Sequence, residues 1–205
     1  MRNQILGGVL AAVTVAAVVT GCSSTSPTPA PPAAAPSASV SSGPVAAEHN
    51  AADVAFAQGM IPHHNQAIEM SRLAPTRAAS QEVKDLAVKI EQAQAPELNQ
   101  MNGMLAAWGA PAPQPGSTAM GGMPMGGMMP GMMGEGQMQQ LSSASGAAFD
   151  RAFLQMMIEH HTGAIQMAQT ELAQGQSPQA KQLAQAIIND QQSEILQMQV
   201  LLGRV

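Results

Sequence analysis

The chain lacks most of the usual raw material for a binding or catalytic site. Cys22 is its only cysteine, so no disulfide can form within one molecule and no set of thiolates can hold a metal. There is no tyrosine, one tryptophan (Trp108) and three phenylalanines, an aromatic content of 2%. A core so poor in rings must be filled by Leu, Ile, Ala, Val and Met, which suits helix packing much better than a β-sandwich. Charged residues make up only 10% of the chain, eight basic against thirteen acidic, with no basic cluster. That argues against nucleic acid as a partner and against an electrostatic hold on anionic lipid. No phosphate loop, dinucleotide fingerprint or Ser/His/Asp arrangement appears, so nothing marks the chain as an enzyme.

The one long apolar run, Ile5 to Val19, follows a charged start at Arg2 and is short for a membrane span but long enough for a secretory signal. It ends in Val19-Thr20-Gly21-Cys22, which resembles the lipobox of bacterial lipoproteins. The resemblance implies cleavage before Cys22 and a lipid on the new N-terminal cysteine; the alternative is an ordinary signal peptide that contains a cysteine. Residues 22–47, rich in Ser, Pro and Ala, cannot bury enough surface to offset chain entropy and read as a tether. The expected organisation is therefore a signal peptide at 1–21, a tether at 22–47, and a folded domain at 48–205 with an insertion at about 109–145. Loss of Arg2 with the signal leaves seven basic against thirteen acidic residues, a mature charge of −6. The expected location is extracytoplasmic, at the membrane through the lipid.

What the chain does have is a repeat. Asp53-x-x-Phe56-x-x-x-Met60-Ile61-x-His63-His64-x-x-Ala67-Ile68-x-Met70 returns 97 residues later as Asp150, Phe153, Met157, Ile158, His160, His161, Ala164, Ile165 and Met167. Four of the five histidines lie in these two blocks. The spacing predicts helices over about 53–74 and 147–174, each with its motif along one face. A second pair follows Ser80 and Ser177-Pro178, where serine caps and a proline suits the first helical position. Their Gln94/Gln191, Glu97/Glu194 and Met101/Met198 keep the 97-residue offset. The repeat unit is thus a helical hairpin, and two of them predict an all-α four-helix bundle. Pro62 and Pro96 fall inside their helices and are expected to kink them, unless the first helix begins near Pro62 with 53–61 as a separate short helix.

Residues three and four apart share a helical face, so Met60, His63, His64 and Met70 form one column and Met157, His160, His161 and Met167 another. Adjacent histidines diverge by about 100°, so one of each pair should flank the seam. Imidazole binds copper, zinc, nickel and iron, and thioether sulfur is soft and favours Cu(I). Outside the cytoplasm, a His/Met set without cysteine points to copper, as Cu(I) or Cu(II), ahead of zinc or iron. The competing view is that methionines at helical spacing only fill the core. Glu97, Glu194, Gln94 and Gln191 should meet the histidine columns and could orient the rings.

Between the hairpins, eight of the seventeen methionines fall between Met120 and Met138 in a Gly/Pro-rich background. The segment reads as neither helix nor strand. Its MxxM and MxM spacings, through Met120, Met123, Met125, Met128, Met129, Met132 and Met133, look like the methionine motifs of copper-transport and copper-tolerance proteins, which wrap Cu(I). The rival is a plain linker or an oxidant sink.

The duplicated motif with its trailing Q-x-x-E-[IL]-x-x-M resembles the family catalogued as domain of unknown function 305, over about 48–205 apart from the insertion. The resemblance implies a ferritin-like four-helix fold in a secreted bacterial protein, with copper binding in some members, and it implicates the same eight His and Met positions. The chain departs from the motif at Thr162-Gly163, which aligns with Asn65-Gln66; a glycine there is expected where backbones come close. Three functions remain: a lipid-anchored copper protein with a copper donor or acceptor partner, a ferritin-like metal-dependent oxidase, or an envelope interaction protein with structural histidines. The oxidase is disfavoured because the Glu-x-x-His pattern of di-iron bundles is absent.

Overall fold

The computed structural model describes residues 48–113 and 129–205; the expected signal peptide, lipobox and tether at 1–47 lie outside the described residues, as do Met120, Met123, Met125 and Met128. Five helices are present: α1 (Ala51–Arg77), α2 (Gln81–Ala107), α3 (Glu135–Ser143), α4 (Gly146–Gln174) and α5 (Pro178–Leu202). The protein is all-α, with no strand among the described residues. None of the described helices is long and apolar enough to cross a membrane.

The helix starts follow from their caps. Asn50 accepts from the amides of Ala52 and Asp53 and receives the Asp53 carboxylate in return on its own N–H at 2.6 Å. Ser80 caps α2 through Val83 N–H, and Ser177 caps α5 through Ala180 N–H with Pro178 behind it. The repeat's own aspartates act at longer range. Asp150 accepts from Ala79 N–H (3.1 Å) and Ser80 N–H (2.8 Å), while Asp53 accepts from Gln176 N–H (3.0 Å) and Ser177 N–H (2.8 Å). Each hairpin therefore caps the second helix of the other, which fastens the two repeats together at both ends.

α1 runs unbroken through Pro62 and Pro75, and α2 through Pro96, in line with Pro62 and Pro96 being expected inside their helices, and the alternative of a separate short helix over 53–61 is ruled out. Packing along both faces holds those helices together despite one missing hydrogen bond per proline. One expectation is corrected: the Met-rich insertion is less irregular than its composition indicates, because α3 begins at Glu135 and includes Met138. Beyond Gly134 the Gly/Pro density falls, Gln137 returns a hydrogen bond to the Gly134 N–H at 3.0 Å, and the buried Leu141 ties the helix to the core.

The core consists of two apolar clusters related by the 97-residue shift. One holds Phe56, Met60, Met101, Leu183 and Ile187; the other holds Phe153, Met157, Met198, Leu86 and Ile90. Each long helix passes from one cluster to the other, and at the crossing it carries His63-His64, Gln94, His160-His161 or Gln191. A polar layer thus lies across the middle of an otherwise apolar interior.

Candidate metal centre

All four histidines of the repeat are fully buried at 0% exposure. Their paired positions on each helix divide the work as the 100° divergence requires. His63 and His160 point at each other across α1 and α4, with ring centroids 3.8 Å apart and planes tilted by 42°. His64 and His161 turn to the second helix of their own hairpin, where Nε2 lies 2.7 Å from Glu97 Oε2 and 2.6 Å from Glu194 Oε2. Those carboxylates are 13% and 16% exposed, so each links a buried ring to the edge of the bundle.

Electrostatics keep the central rings neutral. Burial pushes His63 down to about 3, against a partial opposing effect of its hydrogen bond to the Pro130 carbonyl and with further depression by His64 and His161. His160 is held well below the ordinary imidazole value by burial and by the three other histidines. Near neutral pH these rings therefore offer lone pairs, the form in which imidazole binds a metal.

Many of those lone pairs have no partner among the described residues. Nδ1 of His63, His64 and His161, both nitrogens of His160, both amide atoms of Gln94 and Oε1 of Gln191 are buried without a hydrogen-bond partner. Burying such a group unsatisfied costs about 1–3 kcal/mol, so a layer of them is expensive unless it serves a ligand. A metal ion fits this donor set. Nε2 of His64 and of His161 faces a carboxylate, the arrangement that fixes the ring of a ligating histidine and frees Nδ1 for the metal. Gln94 and Gln191 share the layer but make no hydrogen bond to the rings through these atoms.

Nitrogen and oxygen donors alone do not complete a site: among the described residues no three His, Cys, Asp or Glu side chains are grouped to hold a cation. Sulfur is at hand. Met60 and Met157, each one turn before His63 and His160, are fully buried, as is Met70, whereas Met167 is partly exposed. Of the loop methionines, Met133 is 4% exposed and packs in an apolar cluster, while Met129 and Met132 are half-buried.

Two participants carried no clear sequence signal: the Pro130 carbonyl accepts from His63 Nε2 at 3.0 Å, and Gln66 bonds the Met133 backbone. Away from the centre, Glu171 sits buried against Asp53 at the capped end of α1. A backbone carbonyl from an insertion has no motif, and Glu171 has Ala74 as its repeat counterpart, so the duplication does not mark it.

An all-α interior crossed by a layer of four buried histidines is the setting of this candidate site. The profile of the family described as Domain of unknown function (DUF305) matches residues 53–202, and the chain belongs to that family. A solved DUF305 protein from Streptomyces coelicolor is 36% identical, covering 75% of this chain and 91% of that one with a TM-score of 0.65. CopM is similar in its Cu(I)-bound form (30% identity, 74% of this chain and 96% of that one, TM-score 0.61) and in its Cu(II)-bound form (33% identity, TM-score 0.62). An uncharacterized protein, L153, of Acanthamoeba polyphaga mimivirus is 42% identical over 53 residues, so the match spans 26% of this chain and 35% of that protein.

Proposed function

We propose that this chain is an extracytoplasmic copper-binding protein, anchored by a lipid on Cys22, that sequesters copper or passes it to a partner protein. The reading rests on one observation above all: four buried imidazoles, two of them in contact, present five nitrogens that nothing among the described residues satisfies. Neutral imidazole with buried thioethers one helical turn away in sequence favours copper, and Cu(I) accepts the low coordination number that His63 and His160 would supply with Met60 or Met157. His64 and His161, oriented by Glu97 and Glu194, would extend the site outward along each hairpin. The similarity to CopM, solved with Cu(I) and with Cu(II), supports the same cargo. We read the four long helices as a ferritin-like bundle, but with the carboxylates at its middle engaged by histidine instead of left for a di-iron centre.

A purely structural role for the histidines fits poorly. A residue retained for packing would satisfy its polar atoms, and His160 satisfies neither nitrogen. Elemental analysis of protein purified without a histidine tag, followed by competition with a Cu(I) chelator, tests the proposal. Stoichiometric copper withheld from the chelator is expected; metal-free protein that yields added Cu(I) at once would refute it.

A further inference from the structure

Residues 129–134 of the insertion lie against the histidine layer, and the two repeats hold them in different ways at equivalent positions. Gln66 and Gly163 are 97 residues apart and correspond in the duplication. Gln66 clamps the Met133 backbone from both sides, its Nε2 donating to the Met133 carbonyl at 2.8 Å and its Oε1 accepting from the Met133 N–H at 2.7 Å. Gly163 does the opposite and gives way, since any Cβ there would overlap the Pro130 carbonyl. Gly131 completes the close approach: it has φ +76°, and a Cβ on it would lie 2.6 Å from the Glu159 carbonyl oxygen and 2.9 Å from that of His160. One segment lying across two related helices cannot meet both alike, which accounts for the break in the repeat at Gly163.

We propose that residues 129–134 form a positioning strap, held by Gln66 and seated on Gly163, that fixes His63 as its Nε2–H tautomer and so makes Nδ1 its only metal-binding atom. The Pro130 carbonyl can only accept, so the ring nitrogen 3.0 Å away must donate. A neutral imidazole has one ring proton, and with that proton on Nε2 the lone pair is left on Nδ1, the buried atom without a partner. His160 has no such constraint on either nitrogen. The two central rings therefore differ: His63 is a preset donor, and His160 adapts to the cargo. Met133 anchors the strap by burying its side chain in the core, so this methionine serves the site through its backbone. The metal-binding consequence rests on the proposed copper function, whereas the tautomer does not.

Two measurements on the full chain decide it. Long-range proton–nitrogen spectra of the metal-free protein should show His63 as the Nε2–H form, and Gly163→Ala and Gln66→Ala should each shift it toward a mixture. Transfer of Cu(I) to an excess of chelator, followed by stopped flow, should speed up by about tenfold in both variants as the strap loosens, with stoichiometry unchanged. Gln66 is only half-buried, so its truncation keeps the test available if Gly163→Ala does not fold. An Nδ1–H tautomer in the parent protein, or a ring spectrum and release rate unmoved by the substitutions, would overturn the strap. Failure of the parent protein to bind Cu(I) would sink the copper reading alone, with the tautomer still deciding the strap.

Discussion

His63 and His160 occupy the same place in the two repeats and meet ring to ring, 3.8 Å between centroids, where the two apolar clusters of the core part. Burial keeps both neutral, and neither has a partner on Nδ1. Contact between two uncharged rings supplies little energy compared with the cost of dehydrating their nitrogens. Each ring is therefore strained in polar terms by a dehydrated Nδ1 that has no partner among the described residues, and on the proposed function a soft cation would satisfy it.

That strain can be measured directly. His160→Leu replaces two unsatisfied nitrogens with an apolar side chain of similar size, so the metal-free variant should be more stable by about 1–3 kcal/mol. Chemical denaturation reads the gain, and the chelator competition should show copper affinity falling in the same variant. A loss of stability would mean that His160 is packed for structure.

Glu97 and Glu194 hold His64 and His161 at 2.7 and 2.6 Å. Glu97→Ala and Glu194→Ala should each weaken copper binding by about 10–100-fold, because a ring that has lost its acceptor can turn. Glutamine at either position retains an accepting oxygen and should lose less. Chelator competition across the four variants gives the comparison.

The crossed caps bear on folding instead of binding. Asp150→Ala leaves the Ala79 and Ser80 amides without their acceptor and should cost about 1.5–3 kcal/mol, the range for hydrogen bonds to a charged group. Denaturant midpoints check it. Copper stoichiometry should be unchanged, since Asp150 lies a full three turns from His161.

Glu171 sets a pH dependence. It is 1% exposed, and burial, the hydrogen bond with Asp53 and the Asp53 charge push its carboxyl up to about 8. Burial alone would raise Asp53 too, but hydrogen bonds from Glu171 and from the Asn50, Ser177 and Gln176 amides outweigh it and hold Asp53 ionised. The folded state thus keeps a proton on Glu171 that the unfolded chain gives up at about 4.3. Stability from this group is complete below that value, falls as pH rises, and is lost by about 8. Glu171→Gln should flatten the decline and raise the melting temperature at pH 8 by about 5 °C. Melting curves from pH 5 to 9 test the sign.

The sequence made the hairpins legible because each helix carries its own caps and its own periodic face, all repeated at one offset. Ser80, Ser177 and Pro178 need only their neighbours to act. The histidine columns were legible for the same reason, and the divergence of adjacent residues anticipated that one ring of each pair turns aside. Asp53 and Asp150 hid their roles because a cap across hairpins looks, in one dimension, like a cap on the residue's own helix. Gly163 was visible only as a departure from the repeat, and the chain that fills its space lies in an insertion with no counterpart. Met133 reads as a candidate loop ligand, and its side chain lies in the same apolar cluster as Met157. Composition cannot tell a methionine that binds metal from one that fills space.

The histidine layer is tested most directly by X-ray absorption at the copper edge of the full chain loaded with Cu(I) at substoichiometric amounts. Imidazole scattering together with a sulfur contribution, lost when His63 and His160 are both replaced by alanine, is the expected result. A sulfur-only spectrum that survives the double substitution would place copper among the methionines and contradict the account.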